Sequence, residues 1–298
     1  MTSTDHLLLA DWGTTSRRAW LLDGHGRKLA STEDQRGMLA VRRDGWEAAF
    51  EELKRALGGP EPRLTLLAGM VGANGGWRRT AYLPCPAGLE DLARELCWVE
   101  PGSLAIVPGL SCADGFSADV MRGEETQVLG ALAAGFAPAD CFVCLPGTHT
   151  KWVVVRNRRV TEFRTVMTGE LFALLKTHSI LADQLRDAVT AGPDFHAGVD
   201  RGLAAAELTA DLFSVRSHAL LGTSVLANGA AFVSGLLIGA DLRTGLRLSE
   251  ERSVHVIGRS DLVALYAAAI ERNGYTAVPV DGGEAAVAGL KRLAELAG

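Results

Sequence analysis

The chain states one short theme twice. From Leu7 to Glu33 it reads as three consecutive strands, Leu7 to Asp11, Arg18 to Asp23 and Lys28 to Glu33, the last two separated by the turn Gly24-His25-Gly26-Arg27. From Cys141 to Arg164 it reads the same way again: Cys141 to Leu145, Lys151 to Val155 and Arg159 to Arg164. A repeat of this kind constrains the fold to two units of related topology. Each copy also holds a Gly-Thr turn between its first two strands, ADWGTTSRRAW at 10–20 and LPGTHTKWVVV at 145–155. A glycine there lets backbone N–H groups approach a phosphate, and the hydroxyls add donors. One copy alone reads as an ordinary hairpin turn, where Gly, Thr and Ser are common. Two copies at the same place in a repeated unit point to phosphate binding.

Between and after the repeats the chain alternates helices and strands. Asp44 is placed to cap a helix carrying Trp46, Ala49, Phe50, Leu53 and Leu57 at helical spacing, which Gly58-Gly59-Pro60 stops. A buried strand is expected at 64–68. The glycine-rich, aromatic stretch GMVGANGGWRRTAYLPCP (69–86) then reads as a binding loop. A strand at 104–107 leads through PGLSCAD to a helix from Glu124 to about Gly135. After the second repeat, helices are expected at 169–177, 182–190, 200–214, 226–240, 261–273 and 284–296, with strands at 254–257 and 277–280. No low-complexity segment or charge run marks a linker, so the domain boundary falls in a structured crossing around 108–140; we take it at 120/121, giving domains 1–120 and 121–298.

With 298 residues, 48% of them hydrophobic and 22% charged, the chain is long enough for two packed domains. Its formal charge of -5, with no basic block, argues against a nucleic-acid partner. No apolar stretch approaches membrane-spanning length and the start lacks a secretion signal, so neither a membrane nor an export role is expected. Five cysteines, odd in number and set among apolar residues, suit reduced thiols and a cytoplasmic location.

Several side chains could carry chemistry. Asp11 ends the first strand beside the first turn, where a carboxylate can hold magnesium against phosphates; its ordinary role would be a turn or cap. Glu124 and Glu125 stand at a helix start, where carboxylates are favoured by the helix dipole whatever their function. His149 lies within the second turn, with phosphate contact and a structural role both open. Trp77, between Gly75-Gly76 and Arg78-Arg79, either walls a pocket or covers the core edge. Cys141 and Cys144 have CxxC spacing but sit on a buried strand without a second ligand pair, so they read as packed thiols. Neither GxxxxGK(S/T) nor a strand-linked GxGxxG occurs, which leaves a P-loop enzyme or a dinucleotide dehydrogenase without support.

Taken together, DWGTTSRRAW, AGMVGANGGW, PCPAG, MRGEETQVLGAL, LPGTHTKWV, MTGELFALL and GLLIGADL resemble the 2-dehydro-3-deoxygalactonokinase family of the sugar-kinase/Hsp70/actin superfamily, over roughly 7–293. The resemblance implies an α/β fold of two ribonuclease H-like (actin-like ATPase) domains with a cleft between them. It implies transfer of phosphate from ATP, with Mg2+, to the 6-hydroxyl of 2-dehydro-3-deoxy-D-galactonate. Asp11 would organise the magnesium; Gly13, Thr14, Thr15 and Arg18 with Gly147, Thr148 and His149 would hold phosphates. Glu124 would be the base, with Glu125 as the fallback. The adenosine turn departs from the glycine-rich pattern, reading Ile257-Gly258-Arg259-Ser260, so only Gly258 carries over. Arg36, Asn74, Trp77 and Arg78 are candidates for the sugar acid, and Arg79, Lys151 and Arg164 compete for its carboxylate. The expected partners are thus the sugar acid and ATP. A homodimer is a further expectation, through apolar helical faces near 226–240, unless those faces are buried within the second domain. Other functions could use the same hairpins: phosphorylation of another sugar acid or ketose, an actin-like ATP-dependent regulator, or phosphate hydrolysis. ATP turnover with and without the sugar acid separates them.

Overall fold

A computed structural model describes residues 5–43, 45–114, 117–204, 207–223 and 226–298. Its contacts divide the chain into two units: unit 1 is Met1–Asp140, Val155–Glu162 and Gly282–Gly298, and unit 2 is Cys141–Val154 and Phe163–Asp281. This differs from a single division at 120/121. Residues 121–140 group with unit 1, and the C-terminal helix returns to it, because burial of that helix against residues near 126–130 outweighs chain order.

Unit 1 begins with β1 (Leu7–Trp12), β2 (Arg17–Leu22) and β3 (Lys28–Asp34), an antiparallel meander. Next come α1 (Trp46–Leu57), β4 (Leu64–Gly69), β5 (Tyr82–Pro84), α2 (Leu89–Arg94), β6 (Cys97–Glu100), β7 (Leu104–Ile106), β8 (Gly109–Asp114), β9 (Ser117–Met121) and α3 (Glu124–Ala133). Among the described residues the main sheet runs β3-β2-β1-β4-β7-β6, with β4 parallel to β1 and β7 parallel to β4. Side chains alternate across β1. Leu8, Ala10 and Trp12 join Trp46, Phe50 and Leu53 of α1 in one core, while Leu9 and Asp11 point to the opposite face.

The sheet of unit 2 starts from β10 (Cys141–Leu145), β11 (Thr150–Arg156) and β12 (Arg159–Val166), although the joined ends of β11 and β12, Val155–Glu162, group with unit 1. It continues through α4 (Thr168–His178), α5 (Pro193–Ala204), α6 (Leu208–Leu221), α7 (Gly229–Gly245), β13 (Ser253–Gly258), α8 (Ser260–Arg272) and β14 (Thr276–Asp281). The last helix, α9 (Gly282–Ala297), belongs to unit 1. The second sheet runs β12-β11-β10-β13-β14, with β10, β13 and β14 parallel. Its order, third-second-first strand and then the later parallel strands, matches the first sheet, so the repeat legible in the sequence is a repeat of topology. Its core joins Phe142, Cys144 and Trp152 to Phe195 and Val199 of α5 and Ile238 and Leu242 of α7.

Four expectations are corrected. The stretch 108–123 is not a bare connector: β8 and β9 pair antiparallel, and β5, inside the 69–86 loop, pairs with β8 to make a three-stranded sheet. These short strands show no sustained alternation, and long-range pairing decides them. The helix expected at 182–190 is only a 3-10 turn, Ala182–Leu185. The one expected at 200–214 is two helices, α5 and α6. Finally, α7 turns its apolar residues into the unit 2 cores, so the face considered for a dimer is consumed inside the fold. Asp44, expected to cap α1, lies outside the described residues. Among the described residues no helix is long and apolar enough to cross a membrane.

Candidate active site

Adjacent arginines on β2 show how the first hairpin is aimed. Arg17 faces the α1 core, only 2% exposed, where it pairs with Asp34, donates to the Ala49 carbonyl at 2.9 Å and lies 4.9 Å from the Trp12 ring. Arg18, one residue on, must point to the other face, and there it is the direct cross-strand partner of Asp11. Its Nη2 donates to Asp11 Oδ2 at 2.7 Å. The turn between them is closed by the Gly13 N–H donating to the Ser16 carbonyl at 2.8 Å. The carbonyls of Gly13, Thr14 and Thr15 accept from Met38, Leu39 and Gly37, so the following 3-10 turn braces the hairpin from its carbonyl side. Thr15 is exposed.

The head of α3 meets Asp11 from the same face. Gly123 precedes the helix with φ +102°, a conformation that L side chains rarely adopt, and an added Cβ would lie 3.2 Å from Gly69 Cα. The glycine thus lets the helix start beside β1. Gln127 Nε2 reaches Asp11 Oδ2 at 3.3 Å. Glu124 stands one turn before Gln127 on that face, and its Oε2 accepts from the Arg122 N–H at 3.0 Å. Glu125 turns inward. It is 0% exposed, and both its oxygens accept from the Gly123 N–H, at 2.9 and 2.7 Å. Burial, and next the charge of Glu124, push its carboxyl up to about 8. Burial also raises Asp11; Arg18 opposes this and the Glu124 charge adds to it. The two neighbouring glutamates therefore have different surroundings, one half-buried beside Asp11 and the other folded back on its own helix start.

In unit 2 the turn 146–149 joins β10 to β11. Thr148 and His149 are exposed, and a Cβ added at Gly147 would meet nothing within 4 Å. The start of α4 closes on this turn: the Glu170 N–H donates to the Thr148 carbonyl at 2.9 Å, and the Glu170 carboxylate pairs with His149 Nε2. Gly258 ends β13 close to the Pro146 carbonyl, in the same sheet as the hairpin. Lys151 is buried, with Nζ donating to the His149 carbonyl at 3.0 Å. Cys141 and Cys144 are buried on β10, where the strand period sends them to opposite faces.

The sugar-acid candidates are spread over the surface of unit 1. Arg36 pairs with Glu52 of α1. Trp77 is half-buried, 5.4 Å from Phe50, with Nε1 donating to Glu47 at 3.1 Å. Its ring packs on the core edge with part of its surface left exposed. Arg78 Nη1 donates to the Trp98 carbonyl at 2.6 Å, and Asn74 is exposed. Gln127 and Arg122 were missed in the sequence. The signal for Gln127 was its i+3 spacing from Glu124 on a helix head. Arg122 has no local signal, since its guanidinium reaches back to Thr80, Ala81 and Tyr82.

Two units of one topology, each with a Gly-Thr hairpin after its first strand, and an acidic helix head beside the first hairpin are the arrangement of the actin-like ATPase fold. Solved structures agree on the fold. The activator of the 2-hydroxyisocaproyl-CoA dehydratase from Clostridium difficile, with bound ADPNP, aligns at TM-score 0.53 with 11% identity over 98% of this chain and 95% of that one. Component A of the Acidaminococcus fermentans (R)-2-hydroxyglutaryl-CoA dehydratase aligns at 0.54 with 14% identity, over 98% and 99%. Much closer is the crystal structure of a putative 2-dehydro-3-deoxygalactonokinase protein from Sinorhizobium meliloti, at TM-score 0.89 and 36% identity over 97% of this chain and 98% of that one. The 2-keto-3-deoxy-galactonokinase family pattern matches residues 11–293. The 2-dehydro-3-deoxygalactonokinase of Escherichia coli (strain K12) is 35% identical over 293 residues, 98% of each chain. A probable 2-dehydro-3-deoxygalactonokinase of Rhizobium meliloti (strain 1021) is 36% identical over 99% of this chain and 98% of its own length. The chain belongs to the 2-keto-3-deoxy-galactonokinase family.

Proposed function

We propose that this protein transfers the γ-phosphoryl group of ATP to the 6-hydroxyl of 2-dehydro-3-deoxy-D-galactonate, releasing ADP and the 6-phosphate. The observation that carries the mechanism is the approach of the α3 head to Asp11 at the first hairpin, with Gln127 bonding that carboxylate and Glu124 acting on it as a second negative charge, in a chain similar end to end to named kinases of this sugar acid. Phosphoryl transfer rests on positioning and charge stabilisation. Glu124 accepts the proton of the attacking hydroxyl as its oxygen bonds to phosphorus and the bond to the ADP oxygen breaks. Arg18, held by Asp11, supplies positive charge near the phosphate oxygens. Thr14 and Thr15 on the hairpin that Gly13 shapes, and Gly147, Thr148 and His149 on the hairpin of unit 2, offer N–H and hydroxyl donors to phosphates, and the open space at Gly147 leaves room for one. Gly258 belongs to the adenosine side.

The residues fit a magnesium ion. Asp11 is a buried carboxylate whose charge is disfavoured both by burial and by Glu124, an environment that a divalent cation relieves. Bound there, the ion supplies charge neutralisation for the phosphates. The loop 69–86 is the proposed sugar-acid side. Arg36 and Arg78 would each exchange a protein partner for the substrate carboxylate, with Asn74 and Trp77 shaping the approach. ATP as substrate and reduced cysteines go with a cytoplasmic location.

A coupled assay of ADP release tests the reading, with 2-keto-3-deoxy sugar acids and ketoses as acceptors. The expected result is turnover that depends on the sugar acid and is greatest with 2-dehydro-3-deoxy-D-galactonate. ATP hydrolysis indifferent to every acceptor would instead identify a hydrolase or an ATP-driven regulator.

A further inference from the structure

Three stretches of unit 2 meet at one buried carboxylate. Asp241 lies in GLLIGADL on α7 and is 0% exposed. Its Oδ1 accepts from Trp152 Nε1 at 2.6 Å, and Trp152 ends LPGTHTKW on β11. Its Oδ2 accepts from Thr168 Oγ1 at 2.5 Å, and Thr168 opens α4 in MTGELFALL. The same oxygen accepts from the Tyr266 hydroxyl of α8 at 2.5 Å, and that hydroxyl also bonds the Thr150 hydroxyl at 2.8 Å. These partners are neutral donors, an indole and two hydroxyls. Burial raises the carboxyl and the donors oppose it. Carboxylates are rarely buried this fully, and a satisfied buried network fixes one arrangement of the elements it joins.

The elements joined here are those that frame the turn 146–149. Thr150 and Trp152 begin the strand that leaves the turn. Thr168 begins the helix whose next two residues close on it. A Cβ at Gly169 would lie 2.3 Å from the Gly147 carbonyl, and Glu170 holds Thr148 through its N–H and His149 through its carboxylate. Asp241 itself does not touch the turn.

We propose that Asp241 is a positioning residue for nucleotide binding: by fixing Thr168 at the head of α4 and, through Tyr266, Thr150 at the foot of β11, it sets the shape in which the 146–149 turn receives the phosphates of ATP. The inference rests on the reading of this turn as a nucleotide-phosphate site. It also assigns a task to GLLIGADL and MTGELFALL, which hold no phosphate donor of the proposed mechanism.

The test compares full-length wild type with D241N, T168V, T168S and Y266F, and with I238V as a packing control on the same helix. Affinity for ADP and AMPPNP is measured by calorimetry without sugar acid, KM for each substrate by steady-state kinetics, and Tm for every variant. D241N and T168V should weaken nucleotide binding and raise KM for ATP about tenfold, with KM for the sugar acid changed less than about twofold. T168S, which restores the hydroxyl, should recover most of the loss. I238V should lower Tm and leave nucleotide affinity unchanged. If D241N does not fold, T168V and Y266F carry the test. Wild-type nucleotide affinity in folded T168V and Y266F overturns the inference, as does a loss that tracks Tm across all variants including I238V. In both outcomes the wild-type kinase reading stands. No nucleotide binding by the wild type overturns the hairpin reading and this inference with it.

Discussion

Arg18 and Asp11 are cross-strand partners joined by a 2.7 Å hydrogen bond, and the acceptor oxygen is the one that Gln127 reaches from α3. Burial and the neighbouring Glu124 carboxylate disfavour the charge of Asp11, and Arg18 is the cation that offsets them. Removing its charge should therefore harm catalysis more than folding. Asp11→Asn is expected to lower kcat by at least about 100-fold and to weaken the dependence on magnesium, while Tm moves by no more than about 3 °C. Steady-state kinetics across magnesium concentrations and a thermal melt check both halves. Near-normal kinetics at limiting magnesium would remove Asp11 from the site.

The neighbouring glutamates should separate sharply. Glu124→Gln removes the proposed base and should reduce kcat about 10²–10⁴-fold with ATP binding retained. Glu125→Gln keeps an acceptor for the Gly123 N–H and should be the milder change. Reversed severities would move the base to Glu125 and leave the kinase reading intact.

Glu125 also makes a signed prediction about pH. Its folded carboxyl is raised to about 8, so between about pH 4.3, the ordinary glutamate value, and about 8 the folded state holds a proton that the unfolded state has lost. Protonation then favours folding. The contribution is fully present below the lower value and is lost as pH rises through the window, by up to about 1.4 kcal/mol per pH unit. Urea unfolding of wild type and Glu125→Gln at a series of pH values should show this downward slope in the wild type only. Parallel curves would show that Glu125 is ionised at neutral pH.

At the second hairpin, Thr148→Val keeps the side-chain shape and removes an exposed hydroxyl. The expected outcome is a rise in KM for ATP, or a fall in kcat, of about three- to tenfold with Tm unchanged. Unaltered ATP kinetics would return the turn to a purely structural role.

Stability, by contrast, should depend on Asp34. The Arg17 guanidinium is 2% exposed and pairs with Asp34 through Nε and Nη2. Asp34→Ala leaves a buried cation without its counter-charge and should destabilise unit 1 by about 3 kcal/mol. Denaturant unfolding measures it; a change under about 1 kcal/mol would mean that water or the Trp12 ring replaces the carboxylate.

The sequence by itself determined the local elements and the repeat. Strand alternation around Leu8, Ala10 and Trp12, the helical spacing of Trp46, Phe50 and Leu53 and the two Gly-Thr turns depend on residues a few positions apart, where backbone geometry dictates period and turn. The family motifs likewise located both hairpins and the Glu124-Glu125 helix head. Tertiary structure decided which side chains meet. It brought Asp34 to Arg17 and Gln127 to Asp11, the latter over 116 positions of sequence, and turned Glu125 inward while Glu124 stayed beside the hairpin. It also made a sheet of β5, β8 and β9 and sank Asp241 beneath the second hairpin. None of these pairings leaves a local period to read, because each follows from which distant segment removes a surface from water and satisfies its polar groups.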